Sequence, residues 1–132
     1  MTKKTGLPTI DHLVLDQIRM FENSGGSGLL CKVIVLYFYD SQKHMEKVQS
    51  SVENYDMKSL RLAAHALKSS SANVGAIGVF GICQEIDEEL SAGSILSTDS
   101  PLLKRLKEEY DMAFLELRGI LDSEDKKAKE NL

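Results

Sequence analysis

The chain of 132 residues contains only two prolines, Pro8 and Pro101, and each stands where a helical pattern begins. Proline fits the first turn of a helix but breaks a helix interior, because its ring clashes with the preceding turn and it lacks an N–H group. The long stretch between the two prolines is therefore open to helices. No alternation of apolar and polar residues predicts a strand there. We predict an all-α protein.

Apolar residues recur at helical spacing in five segments. A short first helix after Thr9 is expected to turn five side chains inward: Ile10, Leu13, Val14, Ile18 and Phe21. The loop 23–28 ends it, and three longer helices follow: 29–52, a helix from the N-cap Asp56 to Asn73, and one after Gly75. The last helix begins at Pro101. These lengths and short turns predict an antiparallel up-and-down four-helix bundle with a short additional N-terminal helix.

The inward faces of the second, fourth and fifth helices follow from the same spacing. They are Leu30, Ile34, Phe38, Met45, Val48 and Val52; Val79, Ile82, Cys83, Ile86 and Leu90; and Leu103, Leu106, Tyr110, Phe114, Leu117 and Leu121. Gly78 and Gly81 fall on the outward side of the fourth helix. We expect one domain over 1–132, with a helical core over about 10–121 and a charged, frayed tail over 122–132.

Composition narrows the class of partner. The formal net charge is −4, so no broad basic surface predicts a nucleic-acid partner. The most apolar run, 29–39, is too short to span a bilayer, and residues 1–7 are not followed by the apolar run that a secretory signal needs. Cys31 and Cys83 lie in apolar surroundings without metal-ligand spacing, which indicates buried free thiols in a reducing cytosol. The expectation is a cytoplasmic monomer that does not contact membranes.

His65 lies on the side of the third helix that faces away from the predicted core. On the third helix, Leu60, Ala64 and Leu67 share one face with Ala63, Ser71 and Val74, and His65 points about 160° away from the centre of that face. Its neighbours on the outward face are Arg61, Lys68, Ser69 and Ala72. Lys68 is placed to offset the charge of an incoming phosphoryl group, and the small residues leave room for a protein partner. A docking surface is expected around His65, with Leu62, Ala66, Ser69 and Ala72 and exposed parts of the first two helices.

These residues resemble the histidine-containing phosphotransfer (HPt) domain family of multistep two-component signalling. The family motif corresponds here to His65, Lys68, Ser69, Ser70, Gly75 and Ala76, and the run Val79-x-x-Ile82-Cys83-x-x-Ile86-Asp87 is similar to the fourth-helix pattern of the family. The resemblance covers roughly residues 10–121. Ser69 departs from it, because the family usually has glycine at that position. Its hydroxyl could alter the local fit or the lifetime of the phosphohistidine.

The resemblance implies a phosphorelay step in which His65 accepts a phosphoryl group from an aspartyl phosphate on a receiver domain and passes it to another receiver. Lys68 would stabilise charge, and Gly75 would form a structural turn. The implied partners are response-regulator receiver domains and a hybrid sensor histidine kinase. The sequence has neither a phosphate-binding glycine loop for ATP nor a cluster of acids for a metal. We therefore expect a phosphotransfer intermediate rather than a self-contained kinase, without a cofactor of its own, and with Mg²⁺ in the partner receiver.

Two alternative functions disagree with the residues near the histidines, and a third agrees with them. In a sensor kinase dimerisation domain an acidic residue normally follows the histidine, whereas Ala66 and Leu67 follow His65. A di-metal bundle would show Glu-x-x-His pairs, but the residues three positions before His12, His44 and His65 are Thr9, Ser41 and Leu62. A non-catalytic bundle that binds a receiver without transferring phosphate stays open at this point.

Overall fold

The computed structural model describes residues 8–23 and 28–130. Within them five helices follow one another: α1 (His12–Asn23), α2 (Leu29–Glu53), α3 (Met57–Asn73), α4 (Ile77–Ser91) and α5 (Pro101–Glu130). Each of α2 to α5 packs against its neighbour in the chain, and α5 also packs on α2, so the four helices close a bundle. α1 lies against α2. The predicted four-helix bundle with an additional N-terminal helix is confirmed. None of the described helices is both long enough and apolar enough to span a membrane.

The core of the bundle is formed by the predicted stripes of α2, α4 and α5. Leu30, Ile34, Ile82, Ile86 and Leu117 are among the side chains with almost no exposed surface. Burial of such side chains is the main stabilising term for a bundle of this size.

Two pairs of hydroxyl groups cross this core. Tyr37 of α2 shares a hydrogen bond of 2.8 Å with Ser71 of α3, and Ser41 of α2 shares one of 2.8 Å with Tyr110 of α5. All four side chains are buried. Each pair satisfies polar atoms that would otherwise destabilise the interior, and fixes α2 against a neighbouring helix.

The predicted start of α3 is confirmed. Asp56 precedes the helix, and its carboxylate accepts hydrogen bonds from the backbone N–H and the hydroxyl of Ser59, at 3.0 and 2.7 Å. These two hydrogen bonds hold the pKa of Asp56 below its usual value. The cap fixes the first turn of the helix that carries His65.

The predicted inward face of α1 is wrong in part. Leu13 and Phe21 are 70% and 69% exposed, whereas Leu15, which the prediction omitted, is fully buried. The error arises because α1 begins only at His12, after Ile10. Ile10 is buried but precedes α1, in a segment where the Asp11 N–H donates to the Gly75 carbonyl at 2.7 Å. Ile10 therefore does not share the helical phase of the residues that follow.

The predicted outward position of Gly78 is also wrong. Gly78 is buried, and the carboxylate of Glu109 on α5 lies where a Cβ atom would stand. Gly81 is partly buried. The absence of a side chain at Gly78 therefore lets α4 and α5 approach closely instead of leaving a bare surface.

Helix α5 is longer than the predicted core. It continues from Leu121 to Glu130, where the prediction expected a frayed tail; residues 131 and 132 of that tail lie outside the described residues. Glu124 accepts from Arg19 of α1 at 3.2 Å and pairs with Lys127 at 3.6 Å. These contacts extend the helix and attach α1 to it. Both cysteines are free thiols, but only Cys83 is buried as predicted, since Cys31 is partly exposed.

Candidate functional site

His65 lies in the middle of α3 with its side chain exposed, as the helical spacing predicted. Ala64 and Leu67 on the opposite face are buried in the core. The core contacts of α3 therefore fix the backbone beneath His65 while leaving the imidazole accessible to a partner.

A groove of about 490 Å³ lies beside His65, between α3 and α4. The groove is lined by His65 and by three other residues predicted for the site: Arg61, Leu62 and Lys68. Four further residues complete the lining: Met57, Lys58, Asp87 and Leu90. Three cationic side chains and one carboxylate line the groove, so its net charge is positive although the chain is acidic overall. An anionic group attached to His65 would be attracted there.

Arg61 does not contribute a free charge. Its Nε donates to the Asp87 Oδ1 atom of α4 at 2.9 Å, and the carboxylate offsets the guanidinium charge. The two cations expected beside the imidazole therefore differ, because Arg61 is paired with a carboxylate whereas Lys68 donates to an amide.

Lys68 lies on the other side of His65 and contacts two neutral groups of α4. Its Nζ donates to Gln84 Oε1 at 3.1 Å and stands 5.8 Å from the centre of the Phe80 ring. Gln84 in turn donates from Nε2 to Glu88 Oε1 at 3.3 Å. Neither Gln84 nor Phe80 was predicted for the site from the sequence. Their spacing of four residues on α4 was the available signal, because it places both on one face.

The predicted docking residues divide between two regions. Leu62 lines the groove, whereas Ala66, Ser69 and Ala72 do not. Ser69 and Ala72 are exposed and Ala66 is partly buried. The C-terminal half of α3 adjoins a second groove of about 310 Å³. It is lined by Ile18 of α1, by four residues of α2, by two of α3 and by the residue that follows α3: Val33, Leu36, Tyr37, Asp40, Ser70, Asn73 and Val74.

An apolar surface on α2 continues from this second groove. It consists of Val35, Leu36 and Tyr39, all exposed, and we call it the α2 patch. The ammonium group of Lys43 lies 4.1 Å from the centre of the Tyr39 ring. The α2 patch is the exposed apolar surface on which the second helix would contribute to the expected docking surface.

Gly75 closes α3 with a φ of 72°, in the left-handed region that favours glycine. Its carbonyl accepts from Asp11, and a Cβ atom built on Gly75 would lie 2.5 Å from the Asp11 carbonyl oxygen. The turn after α3 therefore needs glycine both for its backbone angle and for its space.

The other histidines lie apart from this groove. His12 Nε2 is 3.0 Å from Glu116 Oε1 on α5, and His44 is partly buried on α2. Over residues 8–23 and 28–130, no three His, Cys, Asp or Glu side chains cluster closely enough to hold a metal ion.

Comparison with known proteins connects this geometry to one family. The family model described as Hpt domain matches residues 32–122. The chain is 29% identical over 90 residues to multistep phosphorelay regulator 1 of Schizosaccharomyces pombe, which covers 68% of this chain and 30% of that protein. It is 31% identical over 75 residues to histidine-containing phosphotransfer protein 5 of Arabidopsis thaliana, covering 54% of this chain and 48% of the relative. The matched region therefore spans less than half of each relative.

Solved structures share the fold. Histidine-containing phosphotransfer protein B from Pseudomonas aeruginosa PAO1 superposes with a TM-score of 0.76 at 20% identity, covering 89% of this chain and 98% of that one. The HPT domain of a hybrid histidine kinase from Shewanella gives a TM-score of 0.70 at 21% identity, with 87% and 95% covered. A rice protein described as a putative histidine-containing phosphotransfer protein superposes with a TM-score of 0.76 at 20% identity, covering 89% of this chain and 83% of that one.

Proposed function

The chain belongs to the Hpt domain family, and from that premise we propose that His65 is the residue that carries the phosphoryl group in a multistep phosphorelay. The observation that carries the proposal is the exposed imidazole in the middle of α3, beside Lys68 and within the matched region. A buried histidine could not reach the active site of another protein.

The transfer consists of two substitutions at phosphorus. An unprotonated ring nitrogen of His65 attacks the phosphorus of an aspartyl phosphate on a first receiver domain. The N–P bond forms while the P–O bond to the aspartyl carboxylate breaks, and the carboxylate leaves with the electron pair. In the second step a carboxylate oxygen of another receiver attacks the phosphorus, and the electron pair of the N–P bond returns to the imidazole. Neither step consumes ATP.

Lys68 is the cation that this chain supplies to the transferred group. Phosphoryl transfer depends mainly on positioning and on offsetting negative charge around phosphorus. Arg61 is already paired with Asp87, so Lys68 carries the uncompensated charge of the pair. We propose that the receiver supplies Mg²⁺ together with its own aspartate, and that this chain requires no cofactor of its own.

The receiver docks, in this proposal, on the surface around His65. Leu62, Ala66, Ser69 and Ala72 form its part on α3, and the α2 patch extends it. Apolar centres with polar rims are typical of transient protein interfaces of this kind. We propose that the partners are receiver domains and a hybrid sensor histidine kinase, and that the chain acts as a cytoplasmic monomer.

The test is transfer of a radioactive phosphoryl group from a phosphorylated receiver. The wild type should gain an acid-labile, base-stable label. The variant His65→Gln should gain none while keeping its helical circular dichroism spectrum, and His44→Gln, a substitution of the same type outside the groove, should label normally. A wild type that binds receivers of its own genome but takes label from none of them would contradict the proposal and establish the binding-only alternative.

A further inference from the structure

The two cations that flank His65 on α3 have different kinds of acceptor on α4. Arg61, one turn before His65, donates to a carboxylate, Asp87, at 2.9 Å. Lys68, three residues after His65, donates to an amide oxygen, Gln84 Oε1, at 3.1 Å. Helix α4 thus holds both cations in place but neutralises only one of them.

This difference determines which cation can act on a phosphoryl group. A carboxylate within 3 Å offsets most of the field of a guanidinium group, whereas an amide has a dipole and no net charge. The amide oxygen orients the ammonium group and leaves its charge intact. A positioned, uncompensated charge is the form of stabilisation that phosphoryl transfer uses best, because no reorganisation is needed as the charge moves.

Two further contacts orient this arrangement. The Gln84 Nε2 group donates to Glu88 Oε1 at 3.3 Å, which turns the amide oxygen toward Lys68. The Phe80 ring lies on the same face of α4, 5.8 Å from Lys68 Nζ, where its π-electrons attract the ammonium group without adding charge. The Glu88 carboxylate therefore accepts a hydrogen bond from the Gln84 amide. The Lys68 ammonium group contacts the amide oxygen of Gln84 and not this carboxylate.

We propose that Gln84 is a positioning residue for phosphoryl transfer: it holds the Lys68 ammonium group beside His65 through a neutral acceptor. The proposal rests on the proposed function of His65. Gln84 touches neither the phosphoryl group nor His65 in this account, so its whole effect passes through Lys68.

Two substitutions separate the hydrogen bond from the charge. Gln84→Met keeps the size of the side chain and removes the acceptor, and Gln84→Glu keeps the acceptor and adds a charge. We expect the single-turnover rate constant of transfer at saturating receiver to fall about threefold in Gln84→Met and about tenfold in Gln84→Glu. Gln49→Glu is the matched control, because Gln49 is exposed on α2 and donates to Glu53 at the same four-residue spacing. It should transfer at the wild-type rate.

The same substitutions in a Lys68→Ala background show whether the effect passes through Lys68. There, Gln84→Met should cause no further loss, a coupling that a merely structural role would not produce. Gln84→Glu should keep only the part of its loss that comes from direct repulsion between the new carboxylate and the phosphoryl group. Unchanged rates in both single variants, or an equal loss from Gln84→Met with and without Lys68, would overturn the proposal for Gln84. A wild-type protein that takes no label would instead overturn the phosphotransfer function itself, and the positioning role with it.

Discussion

At the scale of the residue, Gly75 satisfies two requirements that no other amino acid meets together. Its φ of 72° is costly for a residue with a side chain, and the Asp11 carbonyl oxygen occupies the space that a Cβ atom would need. The turn after the histidine helix and the segment before α1 are thus packed backbone against backbone. Gly93 has a similar φ of 89° but open space around it.

This contrast makes Gly75→Ala and Gly93→Ala a matched pair. We expect Gly75→Ala to lower the free energy of unfolding by about 1 to 3 kcal/mol, and by more than Gly93→Ala, because only the first adds a collision to the backbone strain. Urea denaturation followed by circular dichroism measures both. Equal losses would mean that the contact with Asp11 adds nothing to the strain.

Lys68 gives a second prediction at this scale. Lys68→Ala should slow phosphoryl transfer about tenfold or more, because an uncompensated positive charge is removed from the groove. Its helical content should not change, since the ammonium group lies at the surface. Lys104→Ala, which removes an exposed lysine of α5, should transfer normally. A normal rate in Lys68→Ala would remove Lys68 from the mechanism.

At the scale of the element, the helices differ in how far their inward face could be predicted. The stripes of α2, α4 and α5 are long, so the register of their apolar residues is unambiguous. The short α1 has apolar residues around its circumference, and Leu13 and Leu15 compete for the inward position. The burial of Gly78 could not be predicted, because a glycine has no side chain whose polarity indicates a buried or an exposed position. The bonds from α3 to Asp87 and Gln84 depend on how two helices are aligned, which one helix alone does not reveal.

Helix α3 provides an internal comparison of its two faces. Leu62 is 65% exposed and Leu67 is fully buried. We expect Leu67→Lys to destabilise the bundle by several kcal/mol, about 3 or more, because it places an unpaired charge in the core. Leu62→Lys should leave the thermal midpoint nearly unchanged and alter receiver affinity instead. Thermal denaturation and a binding titration measure the two effects, and a large loss of stability in Leu62→Lys would contradict the assigned face.

At the scale of the whole molecule, three buried groups make stability depend on alkaline pH: the Cys83 thiol and the hydroxyls of Tyr37 and Tyr110. Burial raises the pKa of the Cys83 thiol from 9.0 to about 12 and also raises the pKa values of Tyr37 and Tyr110 above 10.0. Above these ordinary values the unfolded chain loses protons that the folded protein keeps. The unfolded state then binds fewer protons, so stability falls as pH rises.

We therefore expect the urea midpoint to decrease between about pH 8 and about pH 11, with the decline beginning near the ordinary pKa of cysteine. Tyr37→Phe should flatten the decline above about pH 10, because one of the raised groups is gone. A midpoint that stays constant over this range would contradict the assignment of these groups to the interior.

If His65 carries the phosphoryl group as proposed, its exposure bears on how long a signal lasts. An exposed side chain is accessible to water as well as to a partner, so hydrolysis would compete with transfer. The duration of the signal is then a competition between water and the next receiver, and the abundance of that receiver decides the outcome. A bundle that enclosed its histidine would hold the group longer but could not release it by simple contact.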